Sequence, residues 1–386
     1  MAKARVNEDR LQQIEQPRVD TTNSPFVIRT ANETIEYAMS LPPLQKLMGE
    51  FIYENCLTML YSETGYGKTC FAVQMANAIS RGESMLGLEN DCEPQRVLYV
   101  DIENGESIFK SRYSENRTVH GTDGKKKVVY FNPFTFHSNF ALAFLGDADK
   151  YKVDVKNPVQ FWLDFIDYHA EQYKAKVIFI DNLLAIGTMG GGIETTKEVA
   201  PLIQGLMSLK KSRGYTIILL HHTPKRNRKE PLTRNDLAGS SNLSNLVDCC
   251  FGINKSYYDK KESSRYLKQV KAPRQGRIVY GESNVIPCKI DLIQPNFVGF
   301  NRIELGDDEE EWKYESTHIK PYLVGTKGVS YDEVKEMEHQ TAEILSNNPK
   351  ITTKALGDEL GVSRQTANKY RKKYNKQLEA FNNYGQ

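Results

Sequence analysis

The stretch Leu57-Thr-Met-Leu-Tyr-Ser-Glu-Thr-Gly-Tyr-Gly-Lys-Thr69 predicts a strand, a tight turn and the start of a helix in immediate succession. Residues 57–61 form a β-prone, mostly apolar run, which favours a buried strand. The two glycines that follow can adopt backbone conformations that other residues rarely adopt, so they predict the turn. From Lys68 onward, apolar residues recur at helical spacing until Gly82, which is a typical helix stop.

This succession suits the binding of a nucleoside triphosphate. The pattern G-x-x-x-x-G-K-[ST] is met except that Ser62 stands at the first glycine, and a serine is tolerated there if its φ angle is negative. Backbone N–H groups of the turn and the helix start would hold the phosphates, Lys68 would reach the β- and γ-phosphates, and Thr69 would ligate Mg²⁺. The predicted nucleotide contacts are Ser62, Glu63, Thr64, Gly65, Tyr66, Gly67, Lys68, Thr69 and Cys70.

Length and composition bound the class of protein. With 386 residues the chain suits one large domain or two to three smaller ones. Because the net charge is only +2, contact with nucleic acid must depend on local patches. No apolar run approaches the ~18 residues of a membrane span, and the charged N-terminus lacks the apolar core of a signal peptide. The six cysteines include no Cys-x-x-Cys pair, which favours reduced thiols and a cytoplasmic location.

Changes in composition divide the chain into four regions. The predicted regions are an N-terminal arm or linker over 1–45, an α/β domain over 46–305, an acidic linker over 306–330 and a small helical domain over 331–386. In the second region β-prone runs alternate with helical patterns, which indicates a mostly parallel sheet with crossover helices. Strands are predicted at 57–61, 97–101, 128–131, 177–181, 215–220, 247–253 and 265–270, with an added hairpin at 286–292 and 297–304. Helices are predicted at 33–40, 68–81, 158–174 and 196–212.

Two of the predicted strands lead into acidic residues. Val177-Ile-Phe-Ile-Asp181 would deliver the carboxylate of Asp181 to the Mg²⁺ ion. The next residue is Asn182 and not a glutamate, so a general base must come from elsewhere. Glu103, just after the strand at 97–101, could hydrogen-bond an attacking water, and Asp101 is its nearby rival. In the alternative interpretation Glu103 is an exposed acid at a strand end without a catalytic role.

Polar and basic groups follow the next predicted strands. The run at 216–223 ends in His221 and His222, and a metal site is not expected there because adjacent strand residues point to opposite faces. The loop at 225–234 carries one acid and five cations, which are Lys225, Arg226, Arg228, Lys229 and Arg234. Such a loop could follow the phosphate backbone of DNA, or it could be a solvated charged loop. Farther on, a strand ends in Lys271 and Arg274, cations of the kind that stabilise phosphoryl transfer, or simply a basic strand end.

Taken together, these motifs resemble the RecA-like hexameric ATPases, and most of all the plasmid RepA-type replicative helicases related to the DnaB motor. The resemblance covers roughly residues 46–280. It depends on the segments 62–69, 97–103, 177–181, 217–223, 238–242 and 271–274. It departs from the family at Ser62 and in the Lys-x-x-Arg spacing of the basic pair, which leaves open whether Lys271, Arg274 or Arg277 acts on a neighbouring subunit.

The resemblance implies a role for each motif. Lys68, Thr69 and Asp181 would hold Mg-ATP, with Thr69 and Asp181 as the metal ligands. Glu103 would activate water, and either His221 or His222 would sense the γ-phosphate. Lys271 and Arg274 would reach into the site of the next subunit, and the loop at 225–234 would contact single-stranded DNA inside a ring. A homo-oligomer, most simply a hexameric ring, is therefore expected.

The C-terminal region predicts three helices with a turn between the second and the third. Helices are expected at 333–346, 352–360 and 363–376, the last one with Ser363 as its N-cap. The third helix has six cations and no acid, which favours a helix-turn-helix that binds duplex DNA. Base contacts are predicted for Arg364, Gln365, Thr366 and Asn368 or Lys369, and phosphate contacts for Arg371, Lys372 and Lys373. A three-helix module for protein contacts is the alternative.

The sequence thus predicts a RecA-like P-loop ATPase core with a mostly parallel central sheet and a small all-α C-terminal domain. The expected function is a DNA-dependent ATPase, a ring helicase or translocase acting in replication or maintenance of a plasmid, phage or mobile element, with ATP and Mg²⁺ as cofactors. One alternative is an ATP-gated DNA-binding regulator or loader that recruits other proteins without unwinding DNA. Another is a recombinase-like filament.

Overall fold

A computed structural model describes most of the chain. The described residues are 27–41, 43–120, 125–144, 157–182, 196–223, 231–236, 243–257, 263–273, 276–303, 312–319 and 331–383. The chain divides into two compact units, residues 1–44 and residues 45–386. In the described part of the first unit, helix α1 (Ala31–Ser40) begins with a capping box, in which Thr30 and Glu33 satisfy each other's backbone N–H groups. None of the helices in the described residues is long and apolar enough to cross a membrane.

A nine-stranded sheet dominates the second unit. In the order in which the strands neighbour one another, it consists of β13 (Phe297–Arg302), β12 (Ile286–Gln294), β11 (Ser264–Lys271), β10 (Cys249–Lys255), β3 (Leu57–Ser62), β9 (Thr216–His222), β8 (Val177–Asp181), β4 (Val97–Asp101) and β7 (Phe140–Phe144). The strands from β10 to β7 pair in parallel, and those from β10 to β13 pair antiparallel. The predicted mixed α/β core with a mostly parallel central sheet is confirmed.

Helices cover both faces of the sheet because its central strands are apolar on both sides. Strands β3, β4 and β8 are buried throughout, as expected for strands inside a parallel sheet. Helix α2 (Lys68–Arg81) packs on one face, and helices α4 (Pro158–Tyr173) and α5 (Thr196–Arg213) pack on the other. Each face of the sheet therefore has its own apolar cluster. The carboxyl ends of the parallel strands remain available for functional groups.

The sequence misplaced some elements at the periphery. The predicted strand at 128–131 is part of β6 (Lys126–Pro133), which pairs only with β5 (Ser114–His120) in a separate two-stranded sheet. The edge strand β7 was not predicted, because its Phe-Ala-Leu-Ala-Phe sequence contains alanines, which are depleted in strands. A small hairpin, β1 (Lys46–Met48) with β2 (Ile52–Tyr53), was also missed. The hairpin predicted at 286–292 and 297–304 is confirmed as β12 and β13.

The remaining helices are short or C-terminal. They are α3 (Glu106–Arg112), α6 (Leu243–Leu246), α7 (Glu315–His318), α8 (Tyr331–Asn347), α9 (Thr353–Glu359) and α10 (Arg364–Asn383). The last three share an apolar cluster that includes Leu345, Leu356 and Ala367. The N–H of Thr366 donates to Ser363 Oγ at 3.2 Å, so Ser363 is the N-cap of α10, as expected.

Candidate nucleotide-binding site

The turn between β3 and α2 has the backbone that the glycines predicted. Gly65 and Gly67 have φ angles of +83° and +92°, and Gly67 is the N-cap of α2. A Cβ atom on Gly67 would lie 2.6 Å from Ile290 Cδ1 and 2.9 Å from Phe300 Cζ, so a larger residue there would have to displace these side chains and adopt a strained φ. Ser62 is the last residue of β3 and is not among the residues with positive φ, so the departure from the usual pattern carries no backbone strain.

Thr69 and Asp181 lie side by side, as the sequence predicted. Thr69 Oγ1 donates to Asp181 Oδ2 at 2.7 Å, and the Tyr99 hydroxyl donates to the same oxygen at 2.8 Å. The other oxygen, Oδ1, is buried and has no hydrogen-bond partner among the described residues. Burial raises the pKa of Asp181, and Lys68 is the strongest of the groups that oppose this. An orphaned carboxylate oxygen beside a threonine hydroxyl fits a Mg²⁺ ion that takes its other ligands from phosphates and water.

Lys68 extends from the start of α2 toward His222. Its side chain is buried, and this burial lowers the pKa of Lys68, although the carboxylates of Asp181 and Glu103 work in the opposite direction. Its Nζ lies 3.3 Å from His222 Nε2. Thr64 Oγ1, in the turn, lies 3.3 Å from His222 Nδ1. An ammonium group, a hydroxyl and an imidazole therefore converge where the phosphates of a nucleotide would lie.

Glu103 is held in this group of side chains by two donors. Asn182 Nδ2 donates to Glu103 Oε2 at 2.5 Å, and His222 Nε2 lies 3.1 Å from the same oxygen. These contacts lower the pKa of Glu103 to about 2, with the hydrogen bond to His222 as the largest cause. Lys68 also contributes to the low pKa. The carboxylate is therefore ionised and oriented, which is what a group that positions water requires.

Asp101, the rival base, has a different environment. Its carboxylate is buried, and Oδ1 accepts the backbone N–H of Asn104 at 2.8 Å. Burial raises the pKa of Asp101 to about 6, despite the hydrogen bonds from Asn104. The two acids thus differ both in orientation and in the pH at which they ionise.

The side chains of the two adjacent histidines, His221 and His222, lie on opposite faces of the sheet. In the register between β3 and β9, His221 lies opposite Tyr61 and His222 lies opposite Ser62. His221 is buried, whereas His222 contacts the turn, Lys68 and Glu103. The structure therefore places His222 in the site, a choice that the sequence had left open.

A cavity of about 390 Å³ contains this group of side chains. Most of its lining comes from the predicted segments, but three lining residues were not predicted as site residues: Asn104, Arg112 and Ile290. Arg112 lies at the end of α3, nine residues after Glu103, and Ile290 belongs to β12, far away in sequence. The role of the Asn182 side chain was missed as well. An amide directly after the acidic end of β8 could have indicated it, because the ends of neighbouring parallel strands meet at one edge.

The residues predicted to act on a neighbouring subunit have only partly described surroundings. Lys271 Nζ donates to the backbone carbonyls of Ser244 at 2.7 Å and Val247 at 2.6 Å, at the end of α6. This ammonium group therefore stabilises a helix end within its own chain. Arg274 lies outside the described residues, and Arg277 is exposed.

The predicted DNA contacts are likewise described in part. Lys225, Arg226, Arg228 and Lys229 lie outside the described residues, as does the segment 238–242 that contributes to the family resemblance. Arg234 is exposed, and its Nε donates to Val270 O at 2.8 Å. Among the predicted DNA contacts on α10, the exposed residues are Arg364, Gln365, Asn368, Lys369, Lys372 and Lys373, and Thr366 is half-buried.

Two of the residues predicted to contact phosphate are used inside the C-terminal helices. The guanidinium group of Arg371 donates to Thr353 Oγ1 at 3.3 Å and to the carbonyl of Ile351, which ties α10 to the start of α9. Lys373 Nζ pairs with Glu338 Oε1 at 2.5 Å. Lys372 remains exposed on the same helix.

Comparison with known proteins identifies a family for this chain. Residues 22–228, more than half of the chain, match the family described as AAA domain. Among solved structures, the chain is similar to a KaiC-like protein from the hyperthermophilic archaeon Pyrococcus horikoshii OT3, with 16% sequence identity and a TM-score of 0.41. This similarity covers 67% of the present chain and 100% of the other. No curated protein matches the chain. The large, mostly parallel sheet and the family match both fit a RecA-like P-loop ATPase core.

Proposed function

The chain belongs to the AAA domain family, and from this membership we propose that it is a DNA-dependent ATPase, a RepA-like ring helicase or translocase. Its C-terminal helices α8 to α10 would bind duplex DNA as a helix-turn-helix, and the loop at 225–234 would contact a single strand inside a homo-hexameric ring. The setting would be replication or maintenance of a plasmid, phage or other mobile element. Family membership supports nucleotide-dependent activity in general, and the remaining steps are our proposal.

The observation that carries the catalytic part is the placement of Glu103. Its Oε2 is held by Asn182 and His222, within the cavity that Lys68 and Thr69 also line. A carboxylate fixed through one oxygen can accept the proton of a water molecule with the other. Lys68 and the N–H groups at the start of α2 would bind the phosphates and stabilise the charge that develops on them.

Thr69 and Asp181 would hold the Mg²⁺ ion, which when bound neutralises phosphate charge and orients the triphosphate. Tyr99 keeps the Asp181 carboxylate in place through its hydroxyl. Burial of Asp181 and Lys68 excludes water from their side of the site, which strengthens electrostatic contacts there.

A second candidate function is an ATP-gated DNA-binding regulator or loader. Two observations favour it. Lys271 is bound to carbonyl groups of its own chain, and the low pKa of Glu103 makes it a weak base. Both features would give slow hydrolysis, so that the ATP-bound state would persist and act as the signal.

The two candidates are separated by ATP hydrolysis rates measured without DNA, with single-stranded DNA and with duplex DNA, using Lys68→Ala as the control. Strong stimulation by single strands that is lost in the variant is expected for the motor. Slow hydrolysis that does not respond to DNA would refute the helicase and leave the regulator. A strand-separation assay with a forked duplex then tests movement itself, since a loader would hydrolyse ATP without releasing a strand.

A further inference from the structure

The two-stranded β5–β6 ribbon, residues 114–133, is set apart from the central sheet. Its described register runs from Ser114 opposite Pro133 to His120 opposite Lys126. At its base, the N–H of Phe134 donates to Tyr113 O at 2.9 Å, and both rings join an aromatic cluster with Phe136 and Phe297. The distal part is exposed on both strands. The ribbon is thus anchored at one end and accessible at the other.

Positive charge is concentrated at the distal end. Residues 114–133 have four cations, which are Arg117, Lys125, Lys126 and Lys127, and two acids, Glu115 and Asp123, of which Asp123 lies outside the described residues. The amide group of Asn132 donates to the Glu115 carboxylate. Among the described residues, no carboxylate lies within ion-pair distance of Lys126 or Lys127. Because the whole chain has a net charge of only +2, this excess is a local feature.

Each face of the ribbon combines an aromatic ring with cations. Successive residues of a strand point to opposite faces, so Tyr130 and Phe131 lie on different faces. The guanidinium group of Arg117 lies 5.6 Å from the centroid of Phe131, whose side chain is 42% exposed. On the other face, Lys110 Nζ lies 4.9 Å from the centroid of Tyr130. Rings and cations together are the groups that contact the bases and phosphates of nucleic acids.

We propose that the distal β5–β6 ribbon binds the phosphodiester backbone of a nucleic acid. A two-stranded ribbon fits a major groove, where phosphates lie on either side of it. Cations on both faces match that surrounding, whereas a contact with one protein surface would need cations on one face.

This contact goes beyond the proposed function, because it does not involve the loop at 225–234, helix α10 or ATP hydrolysis. Its position would nevertheless connect nucleic acid to the nucleotide site. Helix α3 joins the ribbon to the segment that carries Glu103, and Arg112 at the end of α3 lines the cavity.

The charge dependence of binding provides the first test. The triple variant Lys125→Gln, Lys126→Gln, Lys127→Gln in the full chain is compared with a control that removes three other exposed lysines, at 174, 176 and 211. Binding of fluorescent single-stranded and duplex oligonucleotides is measured over a range of salt concentrations. Each lost phosphate contact lowers the slope of log K against log salt by about 0.7–0.9. We expect the magnitude of this slope to fall by about two for the ribbon variant and to stay unchanged for the control.

A reporter on the ribbon provides the second test. All six cysteines are buried, so Thr118→Cys on the ribbon and Ser212→Cys on α5 each create one exposed thiol for a fluorophore. An oligonucleotide should change the fluorescence at position 118 and not at position 212. Salt slopes equal to wild type and no change at position 118 would overturn the proposal. So would a ribbon variant that only changes the sedimentation of the oligomer, which would assign the ribbon to contacts between copies.

The two proposals can fail separately. Ribbon-dependent binding with an ATPase that ignores DNA would refute the proposed function and support the ribbon contact. DNA-stimulated ATPase activity with unchanged salt slopes would support the proposed function and refute the ribbon contact. Far-UV circular dichroism and the melting temperature verify that both triple variants are folded.

Discussion

The pH dependence of hydrolysis distinguishes the two candidate bases. A general base acts only when it is ionised, so the rate falls below its pKa. The pKa of Glu103 is lowered to about 2, mainly by the hydrogen bond to His222. The pKa of Asp101 is raised to about 6 by burial. If Glu103 is the base, kcat/KM, which reports on the free enzyme, should not decline because of base protonation anywhere above pH 4.

The expected difference is large. At pH 5 a carboxyl group with the pKa of Asp101 would be about nine-tenths protonated, and the rate would be about tenfold below its plateau. A group with the pKa of Glu103 would be protonated in only about one molecule in a thousand at that pH. The pKa of Glu103 is shifted downward, whereas burial alone raises the pKa of an acid, because the donors around Glu103 stabilise its charged form.

The assay is single-turnover and steady-state ATP hydrolysis between pH 4 and 8 at constant ionic strength. The profile is repeated with His222→Gln. That variant removes the largest cause of the low pKa, and the acid limb should move toward the ordinary glutamate value. Glu103→Gln should lower kcat by about 10²–10⁴-fold, equivalent to about 3–5 kcal/mol.

Asp101→Asn is the matched control, since it neutralises a neighbouring carboxylate of the same strand end. Its kcat should fall less than about tenfold if Asp101 is only a buried acid bonded to Asn104. An inflection near pH 6 that persists in His222→Gln, together with a larger loss in Asp101→Asn than in Glu103→Gln, would refute the reasoning and make Asp101 the base.

Two further predictions concern the backbone of the site and the buried charges behind it. Gly67→Ala should weaken binding of fluorescent ATP, because the added Cβ would lie 2.6 Å from Ile290 Cδ1 and the residue would keep a positive φ. Gly65→Ala, whose Cβ would meet nothing within 4 Å, should show only the strain of positive φ and therefore a smaller loss. Equal losses in the two variants would contradict this. Lys268→Met should lower the free energy of unfolding in urea by about 3–5 kcal/mol, because it leaves the buried Glu315 carboxylate without its ion pair. Adding Glu315→Leu should recover part of that loss; no recovery would count against the ion pair as the cause.

The parts of the fold that sequence reasoning predicted well are local in sequence. The run from β3 through the turn into α2 is continuous, so apolar periodicity and glycine placement specify it almost completely. The ends of β4 and β8 were predicted for the same reason, since an apolar run that ends in an acid is a local signal. Their meeting at one edge follows from parallel pairing, which the alternation of strands and helices already indicated.

The parts that were missed depend on contacts between distant segments. Ile290 reaches the phosphate-binding turn only because β12 folds back over it, and no local pattern records that contact. Lys271 ends a strand as predicted, but its carbonyl partners at the end of α6 come from another segment. Arg371 was assigned to phosphate from its place in a basic helix, whereas its guanidinium group joins α10 to the start of α9. Charge is visible in a sequence, but the partner of a charge is a property of the fold.

The contacts of His222 connect the two candidate functions. His222 Nε2 lies 3.1 Å from Glu103 Oε2 and lowers the pKa of that carboxyl group, and the same ring lies within 3.3 Å of Thr64 Oγ1 and Lys68 Nζ, where phosphates would bind. A γ-phosphate that drew the imidazole toward itself would remove the largest cause of the low pKa of Glu103, so its basicity would rise only with substrate present. A motor requires this release on each turnover. A regulator requires that it be slow, so the rate at which His222 leaves Glu103 separates one proposed function from the other.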